Sequence, residues 1–500
     1  MDTSPIRSAV ELDGTRLSLT DLVDIANGYA QVTVAEWSLD ALDVAHAGLL
    51  AARDHGAVYG ANTGVGANRT VSVPEVSPED AGSLGSGLSP HSTRLLRSHC
   101  AGLGTVEDEV TARAVMVIRL NQFLGGGSGI SGETARALLL ALQTNSVPTI
   151  HRLGALGTGD LAAMAELALT LTGERPWMSG GIPPIELADS DALPFMSSSA
   201  LTIATAAMAA FRLRASLKAA TVIASLSFLA LDGSAEAYDP AVQAGRPHAY
   251  QAEIAQSLRR LIGAGTDEAR EAARIQDPFG LRAVPQVHAP AYDAVERLII
   301  TLEMEINAAA ENPLVVPGGV RHHAQFHLAT LAAVLDAARI AIYPVLTLSS
   351  ARLALLMRAD FTAQPPFLAA DRTGSSGLMI SEYVVQDALA DVRGALMPVS
   401  GGTLLISLGV EEHASYATQG TRRLWDMSAA ANIVLGVEAV AAVRALRMSP
   451  DRMIDVPARA AYEMLAAELD PGLADRPIGP DVERAIELLA GVGEFFGDGL

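Results

Sequence analysis

The 500-residue chain holds one cysteine, Cys100, and one lysine, Lys218. A single cysteine rules out an internal disulfide and any cysteine-based zinc site. Every other basic residue among the 35 is arginine. That leaves little room for Schiff-base chemistry, which needs a placed lysine. Lys218 sits in Arg212-Leu213-Arg214-Ala215-Ser216-Leu217-Lys218, which reads as the polar face of a helix. Positive charge is short overall: the formal net charge is -21. This argues against nucleic acid or an anionic membrane surface as a partner. There is no G-x-x-x-x-G-K phosphate loop and no G-x-S-x-G elbow. Met1 to Val10 has no apolar signal region, so the expected location is the cytosol.

What is present is apolar and helix-forming. Half of the residues are hydrophobic and only 4% are aromatic, with alanine and leucine dominant. Residues 1–195 are broken often by glycine and proline, and helical pieces such as Ser38–Arg53 and Val110–Leu124 alternate with glycine-rich loops at 56–66, 82–87 and 125–132. After residue 195 the breakers thin out. Long helices are predicted over Ser197–Leu231, Tyr292–Ala310, Phe326–Arg358, Ser381–Leu396 and Thr421–Arg447. The first is long enough to span a membrane, but Arg212, Arg214 and Lys218 interrupt it, and a buried bundle helix fits better. The expected architecture is mainly α: a loop-rich domain over 1–195 and a helical bundle over 196–500.

Two local patterns carry little. Gly127-Ser128-Gly129-Ile130-Ser131-Gly132 fits G-x-G-x-x-G, but a helix precedes it and no acidic residue follows at the required distance. His323 and His327 have the i, i+4 spacing of a helical metal pair, without the glutamate of H-E-x-x-H or a third ligand. No metal is expected.

The run Leu153-Gly154-Ala155-Leu156-Gly157-Thr158-Gly159-Asp160-Leu161-Ala162 is more telling. It resembles the signature of the histidine/phenylalanine ammonia-lyase family. There, three consecutive residues, Ala-Ser-Gly, cyclise with loss of two waters into the electrophilic methylidene-imidazolone known as MIO. Gly159-Asp160-Leu161-Ala162 matches its right-hand side, which puts Gly157-Thr158-Gly159 on the triad. Other matches follow in order. Tyr59-Gly60-Ala61-Asn62-Thr63-Gly64-Val65-Gly66 resembles the family's catalytic-base lid. Ser98-His99-Cys100-Ala101-Gly102 resembles the segment whose histidine lines the site. Gln276-Asp277-Pro278-Phe279-Gly280-Leu281-Arg282, Glu311-Asn312-Pro313-Leu314, Ala324-Gln325-Phe326-His327 and Glu411-Glu412-His413 resemble further family segments.

The departures cluster at the chemistry. Thr158 replaces the serine, and dehydrating it would leave a methyl group on the electrophilic carbon. The family's active-site asparagine falls on Ser197, its second tyrosine on Phe279, and the glutamine before its acid on Val410. The resemblance implies a homotetramer with sites shared between subunits. Tyr59, His99, Thr158 and Ser197 would come from one chain, Gln276, Phe279 and Arg282 from a second, and Glu411 from a third. It also implies a small-molecule substrate bordered by Arg282, Gln276, Phe279, Phe326, Ser197 and Asn62. Tyr59, Glu411 and His99 would be the proton-handling groups, with Arg282 lowering the Tyr59 pKa and gripping a carboxylate through its planar fork. The expectation is an enzyme that works without MIO or any other cofactor. It would perform acid/base elimination, addition, isomerisation or cyclisation in specialised metabolism. An ammonia-lyase or aminomutase with a threonine-derived electrophile is one alternative, and a non-catalytic binding homologue is another.

Overall fold

The computed structural model describes residues 7–73, 90–188, 190–264, 273–370 and 374–497. The glycine-rich loop expected at 82–87 lies outside them. The described chain is mainly helical, with four two-stranded sheets. It forms two compact units, and neither is one continuous stretch. The first takes Met1–Met208, Ile299–Ala333 and Pro398–Arg422; the second takes Ala209–Leu298, Val334–Met397 and Arg423–Leu500. A single cut at 195 therefore misses the division, because the chain returns twice to the first unit. The cause is the long helices: α1 (Ala200–Ala230), α2 (Val284–Ile306), α3 (Ala329–Leu356) and α4 (Ala417–Met448) each begin in one unit and end in the other.

Most predicted helices fall within a few residues of the observed ones. The exception is α2, which starts eight residues before Tyr292 and passes through Pro290. The proline removes one backbone donor. Among the described residues, three helices are long and apolar enough to cross a membrane by length and composition. Their apolar windows are 83%, 50% and 78% buried within the protein.

In the first unit, the helix Glu109–Leu124 forms the centre. Asp108 caps it by accepting from the Thr111 N–H at 2.8 Å, and every residue from Thr111 to Leu124 is buried. A helix buried all round must satisfy its own polar side chains. Arg119 does so by donating to the Phe195 and Pro194 carbonyls, to Gln122 Oε1 and to Glu311 Oε1. That one guanidinium fixes the segment entering Ser197 against the segment carrying Glu311. The second unit has a comparable knot: Arg352 and Glu438, both fully buried, pair at 2.6 and 2.9 Å, and Ser227 and Ser349 also donate to the carboxylate.

Candidate active site

The lid segment starts where the helix Glu36–His55 ends at Gly56. Asn62 shapes it. Its Oδ1 accepts from the Val58 N–H at 2.7 Å, and its amide donates to the Arg53 and Gly56 carbonyls. Asn62, expected to border the substrate, is thus spent on holding the turn that presents Tyr59. The Tyr59 hydroxyl accepts from the Gly66 N–H at 2.8 Å, leaving its own proton free to donate. Gly66 sits at φ +55, and an added Cβ there would lie 2.6 Å from Ser407 Oγ and 3.4 Å from Glu411 Oε1. The Ala67 N–H donates to the same Ser407 hydroxyl at 3.0 Å. One chain therefore brings Glu411 to the Tyr59 lid, and a third subunit is not needed for it.

Within one chain, the charges acting on the phenol are those of Glu411 and Arg69. Burial raises the Tyr59 pKa above its ordinary value; the Gly66 N–H lowers it, the Glu411 charge raises it, and the Arg69 charge lowers it. The net direction is up. The cation acting on the phenol within the chain is Arg69, not Arg282. His99 hydrogen-bonds through Nδ1 to the Leu95 carbonyl at 2.8 Å, which leaves Nε2 as its free ring nitrogen.

The Gly157-Thr158-Gly159 turn lies in the same unit and is held at its first carbonyl. Gly157 O accepts from the Leu328 N–H at 3.1 Å and from the Ser415 hydroxyl at 2.8 Å. Neighbouring bonds run from the Tyr416 N–H to Leu156 O and from the Asp160 N–H to Ser198 O. Gly157 and Gly159 sit at φ +81 and +115, conformations that L side chains avoid. A Cβ on Gly157 would stand 2.1 Å from Ser415 Oγ and 2.8 Å from the Ala417 backbone nitrogen. The volume that an alanine would need at the triad's first position is filled by Ser415. With threonine at the centre, these residues do not fit the MIO precursor in its family form.

Beside the turn lies a small crevice bordered by Ser197, Ser198, Ser199, Glu305, Glu311 and Phe326 among others. Ser197 Oγ accepts from the Asn312 N–H at 2.9 Å, and Ser198 Oγ donates to Gln122 Oε1 at 2.7 Å. Ser197 and Phe326 border the same crevice. Phe279 and Arg282 pack together in the second unit, and Gln276, in the same unit, is exposed. The four-residue helix Phe279–Arg282 stacks the guanidinium 4.4 Å over the exposed Phe279 ring. Arg282 Nε is buried without a hydrogen-bond partner.

A model of the aromatic amino acid lyases matches residues 17–467. The chain belongs to the aromatic amino acid lyase family. It is 30% identical to a histidine ammonia-lyase of Streptomyces coelicolor over 94% of both chains, and 29% identical to one of Photobacterium profundum over 96% of both. Among solved structures, histidine ammonia-lyase from Trypanosoma cruzi superposes with a TM-score of 0.87 at 25% identity, covering 98% of this chain and 95% of that one. The ergothionase of Treponema denticola, solved with desmethyl-ergothioneine sulfonic acid, has the same TM-score at 23% identity, covering 97% of this chain and 99% of its own. That last likeness carries the fold alone.

One contact beside the triad turn has little signature in the sequence. His327 Nε2 and His413 Nδ1 lie 2.9 Å apart, so the two rings share a proton. Both flank the triad turn, one residue from Leu328 and two from Ser415. Burial and the neighbouring His413 charge lower the His327 pKa. The only signal was that both histidines end family-like segments. The helical spacing of His323 and His327 pointed elsewhere, but residues 322–328 are a turn, not a helix. His323 Nδ1 instead accepts from the Gln325 N–H.

Proposed function

We propose that this lyase-family chain is an MIO-independent enzyme that moves protons on a small carboxylate-bearing substrate, performing elimination, addition, isomerisation or cyclisation in specialised metabolism. The observation that carries this reading is the Ser415 hydroxyl standing in the place of the triad's alanine side chain. Thr158, Ser197 and Phe279 are changed in the same direction, each removing a group the MIO chemistry uses. The groups that handle protons and anions are retained. With its pKa held up by burial and Glu411, Tyr59 is a phenol at neutral pH and serves as the proton donor. The Glu411 carboxylate beside it is the acceptor. His99, with Nε2 free, relays or orients. Arg282 receives the substrate carboxylate, delivered to the Tyr59 lid by a second subunit of a cytosolic homotetramer.

One observation favours a second reading. The two hydrogen bonds to Gly157 O are those that would polarise this carbonyl for attack by the Gly159 nitrogen. An ammonia-lyase or aminomutase with a threonine-derived electrophile would use them so. Intact-mass and peptide-mass measurement separates the two. The peptide containing Gly157-Thr158-Gly159 is expected at its unmodified mass, and loss of two waters there would replace the first reading with the second.

A further inference from the structure

The elbow of the lid is gripped by two histidines from different parts of the first unit. The Tyr59 N–H donates to His322 Nε2 at 3.3 Å, and the His322 ring meets the Tyr59 ring edge-on with centroids 6.5 Å apart. One residue on, the Gly60 carbonyl is bonded to His91 Nε2 at 3.1 Å. The two rings work in opposite senses. A carbonyl only accepts, so His91 carries its proton on Nε2. An N–H only donates, so His322 keeps a lone pair on Nε2 and its proton on Nδ1. Packing brings His322 there. It follows the hairpin of Leu314–Val316 and Gly319–Arg321, whose cross-strand pair Val315 and Val320 packs against Leu49, Val58 and Ala61 at the base of the lid. Gly60 sits at φ +70, and a Cβ there would lie 2.1 Å from Leu193 Cδ2, so the elbow has no slack on that side. The Gly66 N–H fixes the phenol end at 2.8 Å. Tyr59 is thus held at both of its ends.

We propose that His322 is a positioning residue for Tyr59: its neutral ring, with His91 across Gly60, sets the elbow that aims the phenol, and the hold is released when the ring takes up a second proton. An imidazolium has no lone pair for the Tyr59 N–H, whereas His91 donates through Nε2 in either charge state. Acid therefore opens one side of the clamp and leaves the other. Glu411 and Arg69 act on the phenol itself. The other charged groups around the elbow are Arg321 and His323 on either side of His322, Arg94 one turn from His91, and Arg53, Asp54 and His55 at the end of the helix Glu36–His55, on which the hairpin packs. His323 and His55 are bonded locally through Nδ1, to the Gln325 N–H and the Ala51 carbonyl. Tyr59 is the proton donor of the preceding reading, but its amide can be followed without a substrate, so the two can fail separately.

Hydrogen exchange at the Tyr59 amide reads the grip directly. The full-length protein is exchanged at pH 8.0 and 5.5, and fragmentation of the lid peptide locates the amide. Each rate is compared with that of an unprotected amide at the same pH. His322→Phe keeps a ring against Tyr59 and offers no acceptor; His322→Gln keeps an acceptor that does not titrate. At pH 8.0, His322→Phe should lower the protection about fivefold, the weight of one hydrogen bond, and His322→Gln should retain it. At pH 5.5 the wild type should fall toward the His322→Phe level while His322→Gln holds its value. Wild-type protection in His322→Phe at pH 8.0, or the same acid-induced fall in His322→Gln as in the wild type, overturns the proposal. Full turnover in Tyr59→Phe would overturn Tyr59 as the proton donor and leave the exchange result standing.

Discussion

Gly157→Ala puts back the residue the family carries at the first position of its triad. The change is expensive. The new Cβ would meet Ser415 Oγ at 2.1 Å and the Ala417 backbone nitrogen at 2.8 Å, at a φ of +81. Holding an L side chain in the left-handed region costs about 1–2 kcal/mol. Expelling Ser415 breaks its 2.8 Å bond to Gly157 O, a further loss of about 1 kcal/mol. The sum is about 2–3 kcal/mol, before any shift of the α4 start. At about 2.1 cal/mol/K per residue, the unfolding entropy of a chain this long is near 1 kcal/mol/K, so the Tm should fall by about 2–3 °C. Differential scanning calorimetry measures it. Adding Ser415→Gly removes the hydroxyl clash and should recover part of the loss, leaving the cost of φ and of the Ala417 contact. A Gly157→Ala protein that melts with the wild type would refute the reasoning: the turn would then have room for alanine, and Ser415 would not be what excludes it.

Tyr59→Phe removes one hydroxyl, and turnover of the true substrate should fall by about a hundredfold or more through loss of general acid catalysis, with the melting curve unchanged. Arg282→Lys keeps the charge and loses the fork, so KM should rise more than kcat falls. Glu305→Gln should stabilise the protein above pH 6. A carboxyl whose folded pKa is raised from 4.5 to about 6 favours folding fully only below its unfolded pKa, and that contribution is lost as pH rises to the folded one. The variant should be more stable at pH 7.5 by about 2 kcal/mol, and urea titrations at pH 4.5 and 7.5 should show a smaller difference than in the wild type.

The sequence and the structure agree where local rules decide. Asp108 followed by a helical apolar run and Gly125 marks one helix without help from tertiary packing. The lid is legible because Asn62 and its glycines act within fifteen residues of one another. Contacts made across hundreds of residues were not legible. Nothing near Tyr59 announces Ser407 or Glu411, so the upward push of the Glu411 charge on the phenol was not legible. The Ser415 hydroxyl in the alanine's place is invisible for the same reason: Gly157 reads as a permissive flank until its neighbour 258 positions away is placed against it. Ser197 and Phe326 were matched to a common site by resemblance, whereas the Glu311 oxygen that has no partner depends on how many donors Arg119 has left to give.

The interleaving of the two units sets an order on synthesis. The Tyr59 lid leaves the ribosome early, but Ser407 and Glu411, which meet its Gly66 end, follow about 350 residues later. At about 5–20 residues per second, the nascent lid waits roughly 20–70 s for the groups that will hold it. No N-terminal fragment can have a finished site. A chain cut short before 422 lacks the last segment of its first unit, so that unit is complete only when most of the polypeptide has been made.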